Sequence, residues 1–129
     1  QVSSKPHHFI SSDGFDIFVG KNNYQNDQLT LKTADHNDIW LHTKNIPGSH
    51  VIIKTNGRQV PENTLYEAGI LAAYFSKAKD SSQVPVDYCP RKNVKKPKGA
   101  RPGMVIYERY NTLYVTPSED EIKKLKQTN

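Results

Sequence analysis

The sequence predicts an α+β domain: a mixed, mainly antiparallel sheet with one main helix and short additional helices. Three observations predict it. Several short runs, among them "DIWLHTK" and "MVIYERYNTLYVTP", carry the β-branched and aromatic residues of strands. One longer stretch, near residues 64–79, has apolar residues at helical spacing. Strand-like runs stand on both sides of that stretch rather than alternating with further helices, which argues against a parallel βαβ arrangement. The chain has 129 residues, enough for one ordinary domain, and shows no internal repeat.

Taken in order, residues 1–8 read as a linker or frayed end, 9–117 as the domain, and 118–129 as a tail. "FISSDGFDIFVGKN" predicts a hairpin turning at Asp13-Gly14, with Phe9, Phe15, Ile17 and Val19 as its β-formers. Asn23 or Asn26 then caps a short helix carrying Leu29 and Leu31. "DIWLHTK" alternates Ile39, Leu41 and Thr43 against Trp40, His42 and Lys44, so one face is apolar and the other holds an indole, an imidazole and an ammonium. Trp40 is expected in the core, His42 and Lys44 in solvent. In "NIPGS", Pro47 and Gly48 suit the two central positions of a type II turn. "HVIIKT" follows as a buried strand. Thr64 and Glu67 form a capping-box pattern at the start of the main helix, whose stripe is Leu65, Ala68, Ala72 and Phe75. Lys77 and Lys79 fall in its last turn, and Gly69 inside it implies a close backbone contact. "VPVDYCP" is a strand and "RKNVKKPKGARPG" a loop broken by proline and glycine. "MVIYERYNTLYVTP" reads as a hairpin turning near Tyr110-Asn111, and Ser118 begins a capping pattern for a short helix.

Eighteen Lys and Arg against thirteen Asp and Glu leave a net charge of +5, which favours a polyanionic partner without naming one. The distribution says more. Residues 88–107 hold Arg91, Lys92, Lys95, Lys96, Lys98 and Arg101 and no acid. Such a loop can follow an irregular phosphate backbone, the arginines forking onto phosphate and the lysines acting as point charges. Tyr88 and Tyr107 border it, and rings beside cations suit unpaired bases. The plainer reading of a basic loop is solvated surface. Six phosphate contacts would give a log–log salt slope near −4 to −5, at about −0.7 to −0.9 per contact.

Other chemistries find less support. His42 and His50 flank one turn, but two ligands make no metal site, and the single cysteine, Cys89, excludes an internal disulfide. Ser49 beside His50 is adjacency, and a catalytic triad is defined by geometry. No glycine-rich phosphate loop is present. The expectation is a binding module without catalytic residue, metal or cofactor. The apolar stretch near residue 70 is too short and too charged to enter a membrane. Gln1 in place of Met points to a piece of a larger protein.

"DIWLHTKNIPGSHVII", with aromatic-Leu-His-x-Lys and Pro-Gly-Ser-His-Val, resembles the NFACT-R domain of fibronectin-binding-protein-A-like proteins, as does "VDYCPRKNVKKPKGARPGMVIYERYNTLYVTP", with Tyr-x-x-x-Lys-x-Val-x-Lys-Pro. The resemblance runs from about Phe9 to Pro117. It implies an RNA-binding module of a ribosome-associated quality control factor. Such factors engage stalled large ribosomal subunits and tRNA and support alanine tailing of nascent chains, so large-subunit ribosomal RNA and tRNA are the implied partners and the cytoplasm the implied location. It assigns Trp40, His42, Lys44, Ser49 and His50 to the family's signature surface. The phosphate contacts would be Arg91, Lys92, Lys95, Lys96, Lys98 and Arg101. The same family also implies an alternative: a Gram-positive surface adhesin, tied to virulence, that binds fibronectin or fibrinogen.

Overall fold

The computed structural model describes residues 4–128. Seven strands form one sheet in the order β8-β5-β3-β4-β2-β1-β9, with every neighbouring pair antiparallel. The strands are β1 (His7–Ile10), β2 (Asp16–Val19), β3 (Ile39–Thr43), β4 (Val51–Lys54), β5 (Val84–Pro90), β8 (Asn111–Val115) and β9 (Lys126–Gln127). A separate two-stranded ribbon pairs β6 (Val94–Lys95) with β7 (Ile106–Tyr107). Helices α1 (Asn23–Asp27), α2 (Glu62–Tyr74) and α3 (Glu119–Lys123) complete the fold, with a π-helical segment at Gln28–Thr33 directly after α1.

Strand alternation divides the interior in two. Ile17, Val19, Leu41, Val51, Ile53, Val84, Val86 and Val115 face α2 and pack on Ala68, Leu71 and Ala72. On the opposite face Trp40, Ile52 and Cys89 meet Leu29 and Val94, with Phe18, Val105 and Tyr107 around them. Full burial of each such apolar side chain contributes roughly 1.5–3 kcal/mol. The central strands are therefore covered on both sides. That is why β4 reads Val-Ile-Ile without a polar alternate, and why the Trp40 face is not open to solvent.

Several local expectations are revised. β1 begins at His7, inside the stretch read as a linker, and His7 and His8 stack on Phe75 and Phe18. Residues 1–3 of that stretch, and Asn129, lie outside the described residues. The tail folds back: Ser118 caps α3, as its pattern predicts, and Lys126 and Gln127 pair with Ile10 and Phe9. Asn22, rather than Asn23 or Asn26, caps α1 by accepting from the Gln25 amide. Helix α2 starts at Glu62, two residues before Thr64, so no capping box forms. Thr64 donates instead to Asp13, and Glu67 accepts from the Ser12 amide and hydroxyl, because both side chains clamp the β1–β2 turn. The helix ends at Tyr74, leaving Lys77 and Lys79 beyond it.

"MVIYERYNTLYVTP" is not a hairpin. Its first half pairs with β6 and its second with β5, the chain being redirected at Arg109, whose φ is +53°. Gly48 is not the left-handed turn residue; Asn45, at φ +54°, is. Gly48 is small for another reason: a Cβ there would lie 2.8 Å from Ser76 Cβ, where the two backbones bridge. Gly69 is closely approached, though by side chains of β8 rather than by a backbone, with a Cβ site 2.9 Å from Leu113 Cδ1.

Candidate nucleic-acid interface

The basic loop, residues 91–105, lies over the Trp40 face of the sheet and is fixed there by a small set of bonds. His50 is the central one. It is buried, 1% exposed, and burial together with the neighbouring His42 pushes its pKa down to about 3. Its ring is therefore neutral. Nε2 sits 3.0 Å from the Gly103 carbonyl, which can only accept, so Nε2 carries the proton. Nδ1 then accepts from the Thr30 hydroxyl at 2.7 Å. One imidazole, on the residue just before β4, thus joins the sheet, the π-helical segment and the far end of the loop. Asn26, also buried, holds the His50 amide through Oδ1 at 3.0 Å. A Cβ on Gly20 would collide with that same oxygen, which accounts for glycine there.

A second attachment is Asp27. It accepts from the Gly103 amide at 2.9 Å and pairs with Lys96 at 3.2 Å. Lys96 also donates to the Arg101 carbonyl. Arg91 is similarly engaged: its amide donates to the Asp38 carbonyl and its Nη1 to the Val94 carbonyl. Of the six cations read as phosphate contacts, Arg91 and Lys96 are half-buried and hold the loop's own shape. Lys92, Lys95, Lys98 and Arg101 are exposed, and none pairs with a carboxylate of the described residues.

The signature strand divides in the same way. Trp40 is fully buried, as expected, with its ring parallel to that of His42 at 5.8 Å. His42 and Lys44 are half-buried rather than solvent-facing. Burial lowers the His42 pKa, and its ring meets His50 edge-on at 5.6 Å. Lys44 reaches the buried Asp87 at 3.1 Å and lies over the Tyr110 ring at 4.4 Å. Its pKa is raised, first by the bond to Asp87 and then by that to Tyr110. Asp87 also accepts from the Thr112 and Tyr107 hydroxyls. Ser49 sits on the other side of the Pro47–Gly48 turn, its amide bonded to the Phe75 carbonyl. Trp40 and His50 thus present no surface on the outside of the domain, and both border only the hollow walled by Met104, Val105 and Tyr107. Cys89 is buried with its thiol pushed up to about 11, an inert packing group. Among the described residues no group of three or more His, Cys, Asp or Glu gathers as a metal site would require.

Sequence reasoning missed some of this. Tyr88 points to the α2 face, away from the loop. Beside Tyr107 stand instead Tyr110, its ring 5.1 Å away, and Met104, which lines the same hollow, both exposed. Asp87 carried a signal, being an acid inside the apolar strand "VPVDYCP" and directly opposite His42. Asn26 and Asp27 carried none, because the one acts on the His50 amide and the other on a loop some seventy residues away.

Residues 5–108 match the model of the NFACT protein RNA binding domain. The chain belongs to the NFACT-R family. It is 52% identical over 133 residues to the Rqc2 homolog RqcH of Bacillus subtilis, covering 99% of this chain and 23% of that protein. Identity to RqcH of Streptococcus suis is 48%, over 95% of this chain and 22% of the relative. Ribosome quality control complex subunit 2 of Saccharomyces cerevisiae is 41% identical over 71% of this chain and 9% of its own length. A solved C-terminal structure of the fibronectin/fibrinogen-binding protein from Streptococcus suis superposes with a TM-score of 0.92. It is 46% identical, over 98% of this chain and 51% of that one. The chain therefore spans under a quarter of the RqcH proteins it matches. This is an NFACT RNA-binding domain of the kind found in RqcH/Rqc2 ribosome quality control factors.

Proposed function

We propose that this domain is a non-catalytic RNA clamp in a ribosome quality control factor acting in the cytoplasm. It would hold large-subunit ribosomal RNA and tRNA on a stalled subunit while the rest of the protein supports alanine tailing. The observation that carries this reading is the division among the loop cations. Arg91 and Lys96 shape the loop, while Lys92, Lys95, Lys98 and Arg101 stand exposed with no carboxylate partner. Rigidly presented, unpaired cations are what a phosphate backbone needs, and pre-ordering the loop lowers the entropy cost of binding. Half-buried His42 lines the hollow beside the loop, Ser49 the neighbouring one, and Lys44 is paired with Asp87, so the signature strand supports the surface more than it forms it. No helix among the described residues is long and apolar enough to cross a membrane.

The name of the solved streptococcal relative makes fibronectin or fibrinogen the competing partner. Fluorescence anisotropy with labelled tRNA and with a fibronectin fragment, each titrated across salt, separates the two. RNA binding that weakens steeply with salt, without fibronectin binding, supports the RNA reading. Saturable fibronectin binding that persists at a Debye length of about 8 Å, with weak RNA binding, would replace it.

A further inference from the structure

Two hollows adjoin at the Pro47–Gly48 turn, one of them walled by the loop, and they differ in chemistry. One, of about 420 Å³, has Trp40, His42, Met104, Val105 and Tyr107 in its walls. That volume lies in the range of small-molecule sites, roughly 300–1,000 Å³. The other, of about 490 Å³, is bordered by Lys21, Lys77, Ser49 and Asn22. Asn23, Pro47 and Gly48 belong to both, so the Pro47–Gly48 turn is a ridge between an aromatic cavity and a cationic one. No carboxylate lines either hollow. Two other hollows do contain acids: Asp35 and Asp38 in one, Glu67 and Glu121 in the other. Lys21 and Lys77 are exposed and form no ion pair with a described carboxylate.

We propose that one nucleotide of an unpaired RNA strand sits astride the Pro47–Gly48 ridge, its base in the Trp40/His42/Met104 cavity and its phosphate against Lys21 and Lys77. The proposal rests on the RNA-binding reading and deepens it by naming the form of RNA: single-stranded, with a base free to leave its stack. A duplex keeps its bases stacked and cannot fill an aromatic cavity, whereas an unpaired base offers both a π-face and hydrogen-bonding edges. Exposed Met104, at the mouth, is unbranched and can swing aside to admit it. The ridge places a base site next to a phosphate site, the order in which a nucleotide presents the two. The four exposed loop cations would then carry the flanking phosphates.

Trp40 is the single tryptophan of the chain and so reports on its own cavity. The test follows its emission and the binding anisotropy of the 129-residue chain with labelled hexaadenylate and with an RNA duplex of equal charge. It uses the wild type, Lys21→Ala/Lys77→Ala, and Met104→Asp. All three positions are exposed, and unchanged thermal melts confirm folding. The expected result is a change in Trp40 emission with hexaadenylate and none with duplex. Met104→Asp should weaken hexaadenylate binding about five- to hundredfold, the span a stacked base contributes, and Lys21→Ala/Lys77→Ala should weaken it and flatten its salt dependence, while duplex binding changes far less. The proposal is overturned if wild-type chain binds hexaadenylate with Trp40 emission unmoved and both variants bind it equally well. The RNA reading would survive that outcome. Absence of any RNA binding by the wild type would remove both.

Discussion

His50 lies fully inside the domain, and its neutral ring uses both nitrogens to hold Thr30 and Gly103. That has a consequence in acid. Unfolded, the imidazole titrates near 6.5; folded, burial lowers it to about 3. Between these values the unfolded chain binds more protons, so stability falls as pH drops through that window. From this one group the slope approaches about 1.4 kcal/mol per pH unit. His50→Gln removes that titration. Urea unfolding at several pH values should show a flatter acid limb in the variant, and an identical limb would mean that His50 is not the group responsible. The residue was legible in the sequence as special, since Pro-Gly-Ser-His-Val is a specific string. Its role was not: a histidine flanking a turn looks like a surface ligand until the π-helical segment and the loop close over it. His42 and Lys44 were misjudged for the same reason. Alternation correctly placed them opposite Leu41, but a second layer built by Leu29, Val94 and Tyr107 covers the face that alternation leaves open.

Among the elements, strands with strong patterns were readable. The β1–β2 hairpin, β3, β4, β5 and the main helix all stand where composition and periodicity put them, with α2 shifted toward its N-terminus. Pairing was less readable. Tyr110-Asn111 looked like a turn, yet β7 and β8 part company because β5 offers β8 a full sheet edge and β6 offers β7 a ribbon. Two elements yield predictions. Gly48→Ala would press a methyl into Ser76 Cβ and its backbone Cα, 2.8 Å and 3.2 Å away. Overpacking of that kind costs about 1–3 kcal/mol, so the urea midpoint should fall with m unchanged. In the loop, Asp27→Asn breaks the pairing with Lys96 and weakens the bond from the Gly103 amide. A charge-assisted hydrogen bond contributes roughly 1.5–3 kcal/mol. Amide exchange at Gly103 should therefore accelerate on the order of tenfold or more, while amides of the central strands keep their protection. Equal protection in wild type and variant would show that Asp27 does not hold the loop.

At the scale of the molecule, the sheet is a scaffold with one face packed by α2 and the other roofed by a basic loop. Composition located that loop as the acid-free stretch from residue 88 to 107, and spacing tied it to the NFACT-R family. What composition could not do was sort the cations. Six of them imply a salt slope near −4 to −5. With Arg91 and Lys96 committed inside the fold, the loop's four remaining contacts at about 0.7–0.9 each contribute a slope near −3 to −4. The measurement that tests this most directly is the log–log salt dependence of RNA binding by the wild-type chain and by a variant with Lys92, Lys95, Lys98 and Arg101 all replaced by Gln. The account predicts weaker binding to every RNA tried, with the slope flattened by about 3 units. A variant that binds RNA with the wild-type slope would show that the phosphate backbone lies on some other surface.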